Sequence, residues 1–247
     1  MDKAVILAGG KGLRFGSDAN DVPKPMAEVC GKPIIHYIVS MLKGLGFKKL
    51  YVVVAYKKEV IIDYLSGGRY GLDFEFIDNS NINNLVKSGL SDAVLLLKEK
   101  IKEPFMTILG DEIYAGTSHK AMIEKYESGA GYSSVIAVHR AKDIEEVKKN
   151  YSVMTDKSGL IVDLEEKPQK PWNDLIGCGT YIFDSEIFGY IEKTPVSARS
   201  GRKELADTMK LMIRDNKKIF AFDIAGQYLN INYPEDIARA CAIMGAK

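Results

Sequence analysis

Several short segments of this chain carry residue types that suit phosphate chemistry. The first is Leu7-Ala8-Gly9-Gly10-Lys11-Gly12-Leu13-Arg14, followed by Pro23-Lys24-Pro25-Met26. A glycine loop at the carboxyl end of a strand lets backbone N–H groups approach an anion with no side chain in the way. Arg14 and Lys24 add positive charge close behind it. Two familiar loops do not fit. A Walker loop needs Ser or Thr directly after its lysine, and Gly12 follows Lys11 here. A dinucleotide fingerprint would need a small residue where Phe15 stands, and a helix where Ser17–Pro25 is polar and broken by proline. Further along, Gly110-Asp111-Glu112 puts a carboxylate at the end of an apolar run. By itself it reads as a strand-end Asp capping a turn; it is also well placed for Mg²⁺, which takes one or two protein carboxylates plus substrate phosphates. Glu166-Lys167-Pro168 reads by itself as a charged strand end before a proline turn. Arg199-Ser200-Gly201-Arg202-Lys203 reads either as a solvated basic loop or as one that closes over an anion.

These segments need elements to position them. Apolar runs at Ala4–Ala8, Leu50–Ala55, Phe74–Ile77 and Phe105–Leu109 predict buried strands. Pro33 opens a helix in which Ile34, Ile35, Ile38, Met41, Leu42 and Leu45 recur at helical spacing, ended by Gly44 and Gly46. Further helices are expected over Lys58–Leu65 and Leu90–Lys100. This alternation predicts a parallel sheet with helices on both faces. Beyond residue 130, strands at Ser134–Val138, Tyr151–Thr155, Leu160–Leu164 and Thr180–Phe183 come with few helices between them. They predict an antiparallel extension. A helix over Glu204–Arg214, a strand over Ile219–Ile224 and a helix over Glu235–Met244 close the chain. The expected architecture is α/β: a Rossmann-like three-layer sandwich with a mostly parallel central sheet and a smaller antiparallel extension walling one side of a cleft. We expect a single domain over 1–247, with a first lobe roughly over 1–130, a second part roughly over 131–225 and a closing strand and helix over 226–247.

Composition narrows the classes. Lys and Arg number 34 against 33 Asp and Glu, a net charge of +1. That balance argues against a nucleic-acid partner but permits a local anion site. Three cysteines, Cys30, Cys178 and Cys241, show no metal-ligand spacing and predict reduced thiols in the cytoplasm. The apolar start is too short for a signal peptide, and no run approaches the roughly 20 apolar residues of a membrane span. No membrane partner is expected, and homo-oligomer formation is left open. His36, His119 and His139 lack ligand spacing to one another.

Over nearly its whole length the sequence resembles the sugar-phosphate nucleotidyltransferases, also called nucleoside-diphosphate-sugar pyrophosphorylases. Their family opens with a strand, G-G-x-G-[ST]-R and P-K-P; here Leu13 replaces the hydroxyl residue. The resemblance implies transfer of a nucleoside monophosphate from an NTP to a sugar 1-phosphate, with release of pyrophosphate, and implies that the first lobe binds nucleotide and the second part walls the acceptor site. It implies nucleotide contacts from Leu7, Ala8, Gly9, Gly10, Lys11 and Gly12. Arg14 would clamp the pyrophosphate, and Lys24 and Lys167 would neutralise the reacting phosphates. Asp111 would hold Mg²⁺. The family's second ligand lies in G-x-W-x-D, read here as Gly226-Gln227-Tyr228-Leu229-Asn230, so Asn230 takes that role with one negative charge fewer. Glu166 and Lys167 would bind an acceptor hydroxyl and its phosphate. Gly177-Cys178-Gly179-Thr180-Tyr181 resembles the family's N-A-G-x-Y, with Gly179 kept and Gly177 where Asn is usual. Arg199 would close over the acceptor. In the base-reading segment the family's Gln is missing, leaving Asn79 of an Asn-rich run and Gly89 as nucleotide contacts. The nucleobase stays open. Two other functions fit the same residues: a cytidylyltransferase acting on a phosphorylated alcohol or amine, and a non-catalytic nucleotide-sugar sensor. A sensor would be expected to lose the charged set.

Overall fold

The computed structural model describes residues 1–10, 22–80 and 89–245. The chain starts with β1 (Lys3–Leu7), a 3-10 turn (Lys24–Met26), the hairpin β2 (Glu28–Val29) and β3 (Lys32–Pro33), and α1 (Ile34–Gly44). There follow β4 (Lys49–Val54), α2 (Lys58–Ser66), β5 (Asp73–Asp78), α3 (Leu90–Leu95), β6 (Phe105–Leu109) and β7 (Glu112–Ala115). Next come α4 (His119–Glu127), β8 (Ser134–Arg140), α5 (Ile144–Lys149), β9 (Tyr151–Thr155), β10 (Ile161–Glu166), β11 (Leu175–Phe183), α6 (Ile187–Lys193) and α7 (Leu205–Arg214). β12 (Ile219–Asp223), β13 (Gln227–Asn230) and α8 (Pro234–Gly245) complete it. This is the expected α/β class, with a mostly parallel sheet and antiparallel strands.

Some expectations need correction. The helix expected to reach Lys100 ends at Leu95. Tighter turns follow, with Leu97 N–H bonded to Val94 O and Lys100 N–H to Leu97 O, and they still bury Leu97 and Ile101. The helical spacing of the apolar residues therefore outlives the helix. Between the later strands lie α5 and α6, of six and seven residues. Both are too short for a periodic pattern to announce.

The chain divides into two compact units. The first comprises Asp2–Asn81, Ile108–Thr117 and Gly226–Lys247. In it β1, β4 and β5 run parallel, with Leu7, Val53 and Ile77 level across the three strands. Ala4, Val5, Ile6, Leu50 and Val52 are wholly buried, as a strand covered on both faces requires. α1 buries Ile34, Ile35, Ile38, Val39 and Leu42. β7 and β13 form a separate antiparallel ladder. The carboxyl ends of the strands stay knitted: Ala8 N–H donates to Val53 O and Asn79 N–H to Val54 O, both at 2.8 Å. Gly110 follows β6, and its N–H donates to Leu7 O at 3.0 Å. A Cβ there would lie 3.0 Å from Leu7 O and from the Pro25 ring, and 3.1 Å from Ala8 Cα.

The second unit comprises Ile82–Thr107 and Ser118–Ala225, with Met1. β8 and β9 each pair antiparallel with β11, β9 pairs antiparallel with β10, and β12 lies parallel to β8. Phe105 stacks on Phe188, their centroids 5.6 Å apart. A buried hydroxyl chain joins α3 to α7: Ser91 Oγ lies 3.0 Å and Thr194 Oγ1 2.9 Å from Thr208 Oγ1. Among the described residues no helix is long and apolar enough to cross a membrane.

The crowding at Gly110 sets a measurable contrast with Gly10, which has nothing within 4 Å of a built Cβ. Gly110→Ala should cost about 1–3 kcal/mol as overpacking. Gly10→Ala should stay within about 0.5 kcal/mol of the parent. Urea unfolding midpoints of the two variants check this.

Candidate active site

In the first unit the site grows from the ends of β1, β6 and β13. Pro23 and Pro25 flank Lys24, fix its backbone and are both buried, so the lysine is presented from a stiff turn. Its Nζ donates to Asp111 Oδ2 at 2.5 Å and to Asn232 Oδ1 at 3.1 Å. Asp111 follows the crowded Gly110, and its carbonyl accepts from Ile231 N–H at 2.9 Å. Asn230 ends β13 opposite Glu112. Its Oδ1 is shielded from solvent and takes no hydrogen bond among the described residues. An amide oxygen without a donor, next to a carboxylate-bearing turn, is a hard donor set of the kind Mg²⁺ prefers. Asp111 and Asn230 therefore fit a cation that draws its other ligands from phosphates.

The loop that follows β1 lies at the same edge. A Cβ on Gly9 would touch Ala55 Cβ at 3.3 Å, whereas Gly10 is exposed and open. Leu7, Ala8 and Asn79 are buried there, Asn79 directly after β5. Lys11, Gly12 and Arg14 lie outside the described residues, as does 81–88 of the Asn-rich run. Sequence reasoning assigned no role to Asn232 or Asp236. Asp236 Oδ2 accepts from the N–H groups of Asn232 and Tyr233, at 2.8 and 2.9 Å. This caps the start of α8 and holds the loop that gives Asn232 to Lys24. The signal was an acidic residue in the first turn of a proline-started helix.

The second unit gathers the acceptor candidates. Glu166 ends β10 opposite Tyr151. Burial, with the carboxylates of Glu204 and Asp207, pushes the Glu166 carboxyl up to about 7, against the pull of Lys167 and Arg199. Lys167 has a left-handed backbone, φ 49°, and its N–H bonds Asn150 O at 2.7 Å. A lysine in that region is strained, as residues at binding sites often are. Arg199 Nη2 lies 3.4 Å from Glu204 Oε1. Gly179 is buried in β11, where the register against β8 breaks between Gly177 and Tyr181.

Two glycines have causes the sequence did not reveal. A Cβ on Gly177 would fall 1.7 Å from Cζ of the Tyr151 ring, which is buried and donates its hydroxyl to Cys178 O at 3.1 Å. Asparagine cannot occupy position 177 while Tyr151 keeps its place. A Cβ on Gly89 would fall 2.1 Å from Lys203 O, so the close approach of the 199–203 loop already demands glycine there. Gly89 belongs to the same compact unit as Glu166, Lys167, Gly179 and Arg199. Leu7, Ala8, Gly9, Gly10, Lys24, Asn79, Asp111 and Asn230 belong to the other.

A lysine, a carboxylate and an amide oxygen without a donor at the carboxyl ends of strands are residue types that suit phosphate handling in an α/β fold. Over residues 3–241 the chain matches the model of the nucleotidyl transferase family, and it belongs to that family of enzymes. It is 34% identical over 234 residues to the UTP–glucose-1-phosphate uridylyltransferase AglF of Haloferax volcanii, a match covering 95% of this chain and 93% of that protein. It is 33% identical over 238 residues to the bifunctional protein GlmU of Methanocaldococcus jannaschii, a match covering 96% of this chain and 53% of GlmU, about half that relative's length. Among solved structures, a UDP-glucose pyrophosphorylase complexed with UDP-glucose superposes with a TM-score of 0.86 at 22% identity, over 100% of this chain and 99% of that one. The inositol-1-phosphate CTP transferase from T. maritima gives 0.78 at 18%, over 99% and 95%. These two likenesses concern the fold.

The Glu166 environment predicts a pH dependence. A carboxyl with a folded pKa of about 7 against an ordinary 4.5 holds its proton more tightly in the folded chain. Its contribution to stability is complete below the unfolded value and is lost as pH rises through the folded one. The thermal midpoint of the parent should therefore fall between about pH 5 and about pH 8 by several degrees more than that of Glu166→Gln. Equal slopes would contradict the burial argument. Gly177→Ala should cost about 1–3 kcal/mol, and less in a chain that also carries Tyr151→Ala. A double-mutant cycle by denaturant unfolding measures that coupling.

Proposed function

We propose that this protein transfers a nucleoside monophosphate from an NTP to a sugar 1-phosphate, releasing pyrophosphate, with Mg²⁺ as its cation. The observation that carries the reading is the meeting of Lys24 and Asp111 beside the donor-free Asn230 oxygen, at the edge where the glycine loop leaves β1. Family membership supports the transfer chemistry. The identity to AglF over nearly the full length of both chains supports a sugar 1-phosphate acceptor.

In this reading an acceptor phosphate oxygen attacks the α-phosphorus in line, and the bond to pyrophosphate breaks. The oxygen is already ionised, so no general base is required. The protein's work is alignment and charge. The backbone of Leu7 to Gly10, continued by Lys11 and Gly12, admits the nucleotide closely, with Asn79 beside it. Arg14 clamps the departing pyrophosphate with its fork of donors. Lys24 is held by Asp111 and Asn232 until a phosphate competes for its three donors. Lys167 pairs with the acceptor phosphate, Glu166 with an acceptor hydroxyl, and Arg199 and Gly179 lie on the acceptor side. Mg²⁺ held by Asp111 and Asn230 would offset charge on the phosphate oxygens when bound. With Asn at 230 the protein supplies one carboxylate there, so the cation arrives with the nucleotide. All three cysteines are free thiols, which suits a cytoplasmic setting.

The Tyr151 ring favours a second acceptor class. It fills the space an asparagine at 177 would need. A phosphorylated alcohol or amine would not use that side chain, and a pyrophosphate-release screen of NTPs against sugar 1-phosphates and phosphoalcohols separates the two. Arg14→Ala and Asp111→Ala should each lower turnover by about a hundredfold or more while leaving the thermal midpoint near that of the parent. Near-normal rates in either variant would overturn the reading. Nucleotide binding without pyrophosphate release from any pair would point to a sensor instead.

A further inference from the structure

Glu112 is a buried carboxylate, 1% exposed, in the residue directly after Asp111. A buried charge is costly unless its oxygens are satisfied. Here each oxygen takes a tyrosine hydroxyl: Tyr228 donates to Oε1 at 2.7 Å and Tyr114 donates to Oε2. The two rings lie together, centroids 5.4 Å apart. Tyr114 faces Tyr228 across the β7–β13 ladder, and Glu112 faces Asn230. Residues two apart on a strand share a face. Glu112, Tyr114, Tyr228 and Asn230 therefore form one patch, in which the tyrosine of β13 reaches diagonally to the residue opposite Asn230. The ladder is only four residues long, and its other face carries the buried pair Ile113 and Leu229.

We propose that Glu112, Tyr114 and Tyr228 form a clamp whose role is to set the spacing of the two oxygen ligands, Asp111 and Asn230. Glu112 and Tyr228 are positioning residues, not ligands: each Glu112 oxygen accepts a tyrosine hydroxyl. The clamp holds β7 against β13 at the point where Asp111 and Asn230 leave the ladder, beside the bond from Ile231 N–H to the Asp111 carbonyl. It also explains Tyr228 itself, since a hydroxyl at the ring tip is what reaches Glu112. The proposal rests on the reading of Asp111 and Asn230 as cation ligands.

The test uses Mn²⁺ as probe, with free Mn²⁺ counted by electron paramagnetic resonance in the presence of inorganic pyrophosphate. Tyr228→Phe keeps the ring pair and removes one hydroxyl; Tyr114→Phe is the second variant if the first fails to fold. Mn²⁺ affinity should fall about tenfold or more, the usual effect of losing an outer support of a metal ligand. In turnover assays the metal concentration for half-maximal rate should rise more than kcat falls. A Phe variant that folds and binds Mn²⁺ like the parent, losing only thermal stability, overturns the clamp as a positioning device. Asp111→Ala separates the underlying reading: if it binds Mn²⁺ like the parent, Asp111 is no ligand and the proposal falls with it. Loss of Mn²⁺ binding in Asp111→Ala together with parent-like binding in Tyr228→Phe overturns the clamp alone.

Discussion

At Gly110 there is no room for a methyl group. The Leu7 carbonyl, the Pro25 ring and the Ala8 backbone all stand within 3.1 Å of where it would be. That contact ties three separate pieces of chain together: the end of β1, the proline-flanked turn and the exit of β6. Each piece carries one of the proposed site's components, namely the start of the glycine loop, Lys24 and Asp111. The 2.5 Å ion pair between Lys24 and Asp111 is the consequence of that packing. For a part-buried pair the cost of desolvating both charges offsets much of their attraction, so the pair is weak evidence for stability. Its geometry comes from backbone packing, and the charges are placed by it.

The strands and helices of the first unit were legible because their residues obey one rule each. A continuous apolar run such as Leu50–Ala55 means a strand covered on both faces, and Ile34 to Leu42 repeats at the spacing of one helix face. Legibility failed where an element was too short to show a period, as with β7, α5 and α6. It also failed at the end of α3, where Leu97 and Ile101 stay buried after the helical hydrogen bonds have changed to tighter turns. Burial and hydrogen bonding part company there, and the sequence pattern follows burial.

The candidate site was legible in its charges and opaque in its reasons. Lys24, Asp111 and Asn230 stood out by type and order, and they meet in one unit. Gly177 and Gly89 stood out as well, but their causes lie in partners far away in sequence. One is glycine because of the Tyr151 ring, the other because of the Lys203 carbonyl. Neither distance can be read from local spacing. The same holds for Asn232, whose side chain matters through Lys24, more than two hundred positions earlier.

The near-zero net charge takes on a physical meaning at this level. A site that must receive several negative oxygens needs positive charge, yet unopposed lysines would repel one another in the empty protein. Two of the candidate cations have carboxylate partners, each inside its own unit: Lys24 with Asp111, and Arg199 with Glu204. Glu166, drawn toward protonation by burial and by Glu204 and Asp207, adds a carboxyl that carries less than a full charge near neutral pH. On the proposed function, a phosphate reaching Lys24 displaces Asp111, and one reaching Arg199 displaces Glu204. The attraction at each cation then depends on how far its carboxylate can let go. In that reading the control of binding lies in Asp111 and Glu204 as much as in the lysine and arginine they hold.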